Sequence, residues 1–344
     1  MRYIKALPVR LLQGRTIKVR IFYAHNGIKT IVKISQKKFA LEAASEYMAY
    51  EVDRALQFNR VPTTVFIPLP LDYIRVAVSY SPLFSQWFHR FVVLFNYTNT
   101  KFENVRYYSS KKEQPASSVA VQLWMKDVHA TPETFLALPS TLTDEFATKY
   151  LRPGWEGFSF TKKNILRSIG ELVDRFIFDF IIGNTDRGMN DHNNFAYGGC
   201  SAQTECSLAP EDSRIKGLSK YAFLDHGSSL HSHKEPLDNP FTGRMEETRI
   251  CRFRRSTISH LERYRSSTEK PHPLVSQIDS HAPPEIYKVI YMSVLRKTQS
   301  RMEKILDTAA FCEKKYGKAD TYSLPDYDKL RFSEEDFTLG DEFD

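Results

Sequence analysis

The chain begins with alternating apolar and polar positions and changes to helical spacing further along. Val19, Ile21 and Tyr23 alternate with polar neighbours, His25-Asn26-Gly27 supplies a hairpin turn, and Lys29 to Ile34 returns, so residues 7 to 34 read as strands. From about Lys38 to Phe58 the apolar positions Leu41, Ala44, Met48, Val52, Ala55 and Leu56 share one helix face, and Asn59-Arg60-Val61-Pro62 ends that helix. Thr63 to Ile67 starts another strand. Residues 68 to 115 are fragmented by Pro68, Pro70 and Pro82, and Ser109 to Pro115 reads as an exposed loop. Ser118 to Trp124 predicts one more strand before a loop from Lys126 to Pro132.

From Thr161, read as an N-cap, Ile165, Leu166, Ile169, Leu172, Val173, Phe176, Ile177 and Phe180 recur at helical spacing until Gly183 stops the helix. A polar loop, Asn184-Thr185-Asp186-Arg187, follows, then Asn193-Asn194 before Phe195. Residues 198 to 219 read as an exposed insertion whose stem a Cys200–Cys206 bond would pin. Tyr221-Ala222-Phe223-Leu224 is a short apolar strand that delivers Asp225 at a turn permitted by Gly227. Residues His231 to Gly243 are loop-like, helices are expected at about 255–265 and 284–316, and the acidic stretch from Leu324 reads as a disordered tail. There are no internal repeats.

Strands first and helices afterwards predict an α+β chain, and 344 residues suit two lobes around a cleft. The expected division is a β-rich N-lobe over 1–122, a mainly helical C-lobe over 123–320 and an acidic tail over 321–344. A net charge of +7 makes the surface mildly basic, which suits phosphate-bearing ligands and ordinary solubility alike. No Lys/Arg stripe is interleaved with aromatics, which argues against nucleic acid. Pro82 to Val93, the most apolar candidate, is interrupted by Gln86, His89 and Arg90, so no membrane span is expected. The opening MRYIKALPVRLL lacks the apolar core of a signal peptide, so no targeting segment is visible. Four cysteines, Cys200, Cys206, Cys251 and Cys312, lack metal-binding spacing; their even number suits two disulfides, or a set of reduced buried thiols. Asn96-Tyr97-Thr98 is a glycosylation sequon.

Buried helix, loop Asp, Asn a few residues on, strand, second Asp and Gly together form the layout of a kinase active site. Phosphoryl transfer needs a carboxylate to accept the hydroxyl proton and oxygen ligands for the metals that neutralise the phosphates. Asp186 suits the first role, Asn194 and Asp225 the second. Lys33 lies between Val32 and Ile34 and points to the opposite face. It is either an edge-strand guard or the Lys that touches the nucleotide phosphates and is held by a Glu of the next helix. Glu42 and Glu46 share a side of that helix, and periodicity does not choose between them. Gly14 lies between the first two runs, yet no Gly-x-Gly-x-x-Gly is present. Backbone groups at Val121 to Leu123, with Gln122 and Leu123 as the nucleotide-binding positions, would face an adenine edge where the lobes join; a plain core strand is the alternative.

The strings FDFIIGNTDR, NNF, YAFLDHGSSL, ICRFRRST and FCEKKYG, with IVKIS, SEYMAYEVDRALQFNRVP and SVAVQLW before them, resemble the secretory-pathway kinases. These are the four-jointed group and its relatives, the Golgi casein kinase and the glycosaminoglycan xylosylkinase. The similarity covers roughly 28 to 317, without 68–117 and 132–160. It implies an atypical two-lobed protein-kinase-like fold that uses ATP with Mg²⁺ or Mn²⁺ in the Golgi lumen or outside the cell. Lys33 becomes the phosphate Lys, Glu46 its partner, Asp186 the catalytic Asp and Asp225 the metal ligand. The family usually has Asp-Asn where this chain has Asp225-His226, and the longer spacing leaves Asn193 and Asn194 as rival ligands, of which Asn194 is favoured. The resemblance also implies a Cys251–Cys312 bridge joining two C-lobe helices. The expected acceptor is a Ser/Thr hydroxyl of secreted or cadherin-type proteins, with a glycan (xylose) next, then a phosphatidylinositol as in lipid kinases, then a pseudokinase without turnover. Type II phosphatidylinositol 4-kinases share the Asn-Thr-Asp-Arg-Gly string, and the Cys251 and Cys312 segments argue against them.

Overall fold

The computed structural model describes residues 3–9, 16–23, 28–36, 39–70, 79, 82–88, 90, 106–109, 112–125, 128–130, 142–154, 159–187, 194–197 and 220–326. The N-terminal strands are β1 (Tyr3–Val9), β2 (Lys18–Tyr23), β3 (Lys29–Ile34), β4 (Thr64–Pro70), β5 (Arg106–Ser109) and β6 (Lys112–Leu123). They form one antiparallel sheet in the order β1-β2-β3-β6-β4, with β5 paired to β6. Alternation sorts the two faces. Val19, Ile21, Val32, Ile34, Val119 and Val121 bury one face with Trp87 and Phe88, which lie at and just beyond the end of α2 (Pro82–Trp87). Lys18, Lys33 and Ala120 are also buried and belong to the other parity.

Helix α1 (Glu42–Leu56) links the sheet to the helical body. Gln57 closes it with a left-handed φ of 60°, and Asp53 accepts the Arg60 N–H at 3.0 Å, so the chain turns sharply into β4. Next come α3 (Asp144–Phe146), capped by Thr143 and continued as a π turn through Leu151, and α4 (Ser159–Ile182). A small antiparallel sheet of β7 (Val128–Ala130), β8 (Phe195–Tyr197) and β9 (Lys220–Ala222) lies beside them. The remaining helices are α5 (Arg255–Glu262), α6 (Pro273–Asp279), α7 (Met292–Tyr316) and α8 (Lys318–Thr321).

The second half of α4 is the core of the helical body. Phe176, Ile177, Phe178, Ile181 and Ile182 are fully buried, and Phe178 stacks on Phe223 at 4.8 Å. Gly170 sits mid-helix because the Arg254 guanidinium takes the room: a Cβ there would lie 2.5–2.8 Å from it. That Arg is part of a buried charge cluster. Glu171 accepts from Arg60 at 2.9 Å and from Arg254 at 3.2 Å, and Asp174 accepts from Arg254 at 2.7 Å and from Thr257 at 2.9 Å. Among the described residues no helix is long and apolar enough to cross a membrane.

Several expectations change. Ser109 and Lys112 to Pro115, expected in a loop, lie in strands: β5 and β6 pair from Arg106↔Pro115 to Ser109↔Lys112, since a backbone ladder does not require apolar side chains. Helix α4 begins at Ser159, so Thr161 is inside it and does not cap it. The region expected to be one helix over 284–316 is a 3₁₀ turn, Pro284–Lys288, followed by α7. The start of the expected tail is packed: Thr321 and Leu324 are buried, Phe253 N–H donates to Thr321 O at 2.8 Å, and Asp326 accepts from Ser256 N–H at 2.9 Å. Residues 327–344 lie outside the described residues. Cys251 and Cys312 are disulfide-bonded, with Cα atoms 5.3 Å apart. Cys251 precedes α5, so the bridge ties a connecting segment to α7 and does not join two helices. The Cys200–Cys206 pair and the Asn96 sequon lie outside the described residues.

Candidate functional site

Gly183, with φ of +65°, turns the chain out of α4 into the Asn184–Arg187 loop. Local bonds then shape that loop. Asn184 donates to Asp179 at 3.3 Å and accepts the Asp186 N–H at 3.0 Å. Arg187 donates through Nε and Nη2 to Asp179 at 2.6–3.0 Å and through Nη1 to Leu224 O at 2.6 Å. Thr185 donates from N–H and Oγ1 to Ser228 O at 3.2 and 3.0 Å, and Leu230 N–H donates to Ile182 O at 2.9 Å. The loop bearing Asp186 and the turn bearing Asp225 are therefore stitched together at three places.

Asp225 itself has a left-handed φ of +77°, a region that Asp tolerates better than most residues. The sequence reading assigned that freedom to Gly227, whose φ is not positive. At Gly227 the approach is close: a Cβ there would lie 3.1 Å from Glu42 Cγ.

The Asp225 carboxylate meets the sheet. Lys33 Nζ donates to Asp225 Oδ1 at 3.2 Å and to Glu46 Oε1 at 2.5 Å. Lys18 Nζ lies 3.4 and 3.2 Å from the two Asp225 oxygens. Burial would depress the Lys33 ammonium, but Asp225 and Glu46 outweigh it and hold its pKa above the usual lysine value. Burial would raise Asp225, yet Lys33 and Lys18 hold its carboxyl well below the ordinary range. Glu46 is likewise opposed by burial and brought below its ordinary value, first by Lys33 and then by His226. His226 donates its backbone N–H to Glu46 Oε1 at 2.7 Å, and its Nδ1 lies 3.2 Å from Glu46 Oε2. Burial pushes the His226 pKa down, against the pull of Glu46. Glu42 does not pair with Lys33: its oxygens accept from Thr16 at 2.8 Å and Gln36 at 3.2 Å, and burial pushes its pKa up to about 7.

Of the residues singled out in the sequence, the structure brings Lys33, Glu46 and Asp225 into contact and ties the Asp186 loop to the Asp225 turn. Asn194 is buried, and its Oδ1 accepts from Arg175 Nη1 at 2.6 Å; Asn193 lies outside the described residues. Gln122 and Leu123, expected at an adenine edge, have polar groups engaged within the sheet. Leu123 N–H donates to Thr63 O at 2.9 Å, Trp124 N–H donates to Lys29 O at 3.1 Å, and the buried Gln122 side chain donates to Thr64 at 3.0 Å. Strand β6 lies between β3 and β4, and these contacts take up the Leu123 and Trp124 amides.

Lys18 was missed. The β2–β3 register, Val19↔Val32, continued by one pair sets Lys18 opposite Lys33, so shared parity across the predicted hairpin carried the signal. Asp179 and Gln36 left no such trace.

No family model matches the chain, and no curated protein matches it. Solved structures do. A hydra Fam20 structure with sugar aligns at TM-score 0.55 and 17% identity over 92% of this chain and 87% of that one. The Golgi casein kinase with Mn/ADP bound aligns at TM-score 0.51 and 14% identity over 92% and 74%. The fold is the one these kinases have. It is α+β and two-lobed, with an antiparallel sheet in one lobe and helices in the other. The strand order β1-β2-β3-β6-β4 and the Lys33–Glu46 pair between β3 and α1 stand within that fold.

Proposed function

We propose that the chain is an ATP-dependent phosphotransferase that acts on a hydroxyl. The observation that carries this reading is Lys33 held between Glu46 of α1 and Asp225 of the other lobe. Two buried ammonium groups face one carboxylate, an arrangement suited to receive a triphosphate: the phosphates would take over Lys33 and Lys18 and free Asp225 for a cation. Asp225 offers hard oxygen donors, which suit Mg²⁺ or Mn²⁺. Asn194 is the second proposed ligand, its Oδ1 already accepting from Arg175. When bound, the metal neutralises charge on the phosphates.

Glu46 and His226 would keep Lys33 aimed into the crevice. Asp186 would accept the proton of the acceptor hydroxyl as its oxygen bonds to the γ-phosphorus and the bond to ADP breaks. Its loop is held by Asp179 through Asn184 and Arg187. The lobes are proposed to divide near Leu123, with residues 1–122 on one side and 123–320 on the other.

The acceptor proposed is a Ser/Thr hydroxyl of secreted or cadherin-type proteins in the Golgi lumen or outside the cell. The Golgi casein kinase and the Cys251–Cys312 bond support that setting. The hydra Fam20 structure with sugar favours a glycan hydroxyl as the second reading. Incubation with labelled ATP and Mn²⁺ beside cadherin-type domains, a xylosylated linker glycan and phosphatidylinositol vesicles tests the choice. Label is expected on the protein domains, with no transfer by Asp186→Ala of unchanged melting temperature. Undiminished transfer by that variant overturns the role of Asp186, and label on the glycan or the lipid alone overturns the acceptor.

A further inference from the structure

The segment entering β2 is poor in glycine, and buried side chains from elsewhere hold it. Gln36, just beyond β3, donates from Nε2 to Ile17 O at 3.1 Å and to Ile34 O at 3.3 Å, and its Oε1 accepts the Ile17 N–H at 3.3 Å. By the β2–β3 register Ile17 is two residues beyond Val19↔Val32 and faces Ile34. The Gln36 side-chain amide therefore serves as the ladder partner of Ile17. Trp87 Nε1 donates to the same Oε1 at 2.6 Å. Gln36 Nε2 also reaches Glu42 Oε2 at 3.2 Å, while Thr16 Oγ1 donates to Glu42 Oε1 at 2.8 Å. Thr16 and Ile17 are thus each pinned, and the next residue is Lys18. Glu42 also packs against Gly227, two residues after Asp225. The strand carrying Lys18 and the turn carrying Asp225 rest on one carboxylate.

We infer that Gln36 and Glu42 are positioning residues that fix where β2 begins and so aim the Lys18 ammonium at nucleotide phosphates. The clamp takes over the placement that a glycine-rich loop gives by backbone contact. The inference rests on the phosphotransferase reading above.

Equilibrium binding of ATP with Mn²⁺ tests it in wild type, Lys18→Ala, Gln36→Ala and the double variant, each checked by its melting temperature. Each single variant is expected to weaken binding about tenfold or more, the loss of one charge-assisted bond. The double variant is expected to bind no more weakly than Lys18→Ala, because Gln36 acts through Lys18. A general structural role would instead give losses that multiply. Should Gln36→Ala fail to fold, Trp87→Phe keeps a ring and removes only the indole donor. It is expected to weaken binding in the wild-type background and to have no effect in Lys18→Ala. Wild-type binding with multiplying losses, or a Gln36→Ala affinity within twofold of wild type, overturns the inference and leaves the phosphotransferase reading standing. No binding by the wild type overturns both.

Discussion

Lys33 and Asp225 are 192 positions apart in the chain and 3.2 Å apart in space. The bond crosses from the sheet to the helical body, and the same ammonium holds Glu46 of α1. Lys33→Met should reduce phosphoryl transfer about a hundredfold or more, the scale of losing one preorganised charge partner. It should also lower stability by about 3–5 kcal/mol, because Glu46 loses its cation while remaining buried. Labelled-phosphate transfer and chemical denaturation of the same preparation check the two outcomes.

Arg187 joins Asp179 to the carbonyl that precedes Asp225. Arg187→Lys keeps the charge but loses the planar fork that reaches both at once. The expected outcome is a fall in kcat of about ten- to a hundredfold, with ATP affinity changed much less, since the two lysines remain. Steady-state kinetics beside nucleotide binding separates these effects.

Gly183→Ala combines two penalties. The left-handed backbone costs about 1–2 kcal/mol for a residue with a Cβ, and that Cβ would push into the Arg301 guanidinium. Arg301 in turn holds Glu235 at 2.5 Å, so the segment after Asp225 should loosen as well. Faster hydrogen exchange over 228–243, with a lower melting temperature, is expected.

Glu171 carries a pH dependence of readable sign. Burial would raise its pKa, but Arg60 and Arg254 hold it below its ordinary 4.5. A depressed acid contributes stability that is full above about pH 4.5 and is lost as pH falls through the lower folded value. Glu171→Gln should therefore cost about 3–5 kcal/mol at pH 7, where two guanidinium groups lose their shared anion. Its loss of stability between pH 5 and pH 3 should be shallower than that of the wild type. Urea midpoints across that range decide it.

The Cys251–Cys312 bond closes a segment with a sequence separation of 61. Chain-entropy arguments put its contribution at about 4 kcal/mol. A Cys251→Ser/Cys312→Ser variant should melt well below the oxidised wild type and lose less stability on reduction than the wild type does.

The legible parts of the fold were those in which one side-chain period runs undisturbed. The β2–β3 alternation, the face of α1 and the run from Ile169 to Ile182 each bury one continuous set of residues, so the sequence carries their geometry directly. Lys33 shows itself by interrupting the apolar run of β3, whereas periodicity left Glu42 and Glu46 level and only the family resemblance singled out Glu46. Helix α6 has seven residues, too few for a period to declare itself, and the polar β5–β6 hairpin hides behind loop-like composition. That the Leu123 amide and the Gln122 side chain bond to Thr63 and Thr64 beside β6 is a tertiary fact that no local pattern records. Asn194 was chosen from its place before Phe195, which could not reveal Arg175, nineteen residues earlier on α4, as its partner. Gln36 and Trp87 resemble ordinary polar and core residues until the chain closes around Ile17.

Asp326 accepts the backbone N–H and the hydroxyl of Ser256 in the first turn of α5, and Leu324 is seated beside Arg254. Proteolytic trimming that removes this aspartate should therefore be costly. Beyond that point, digestion would uncover amide hydrogens at a helix entrance and empty a hydrophobic socket, and the fragment should unfold as a unit.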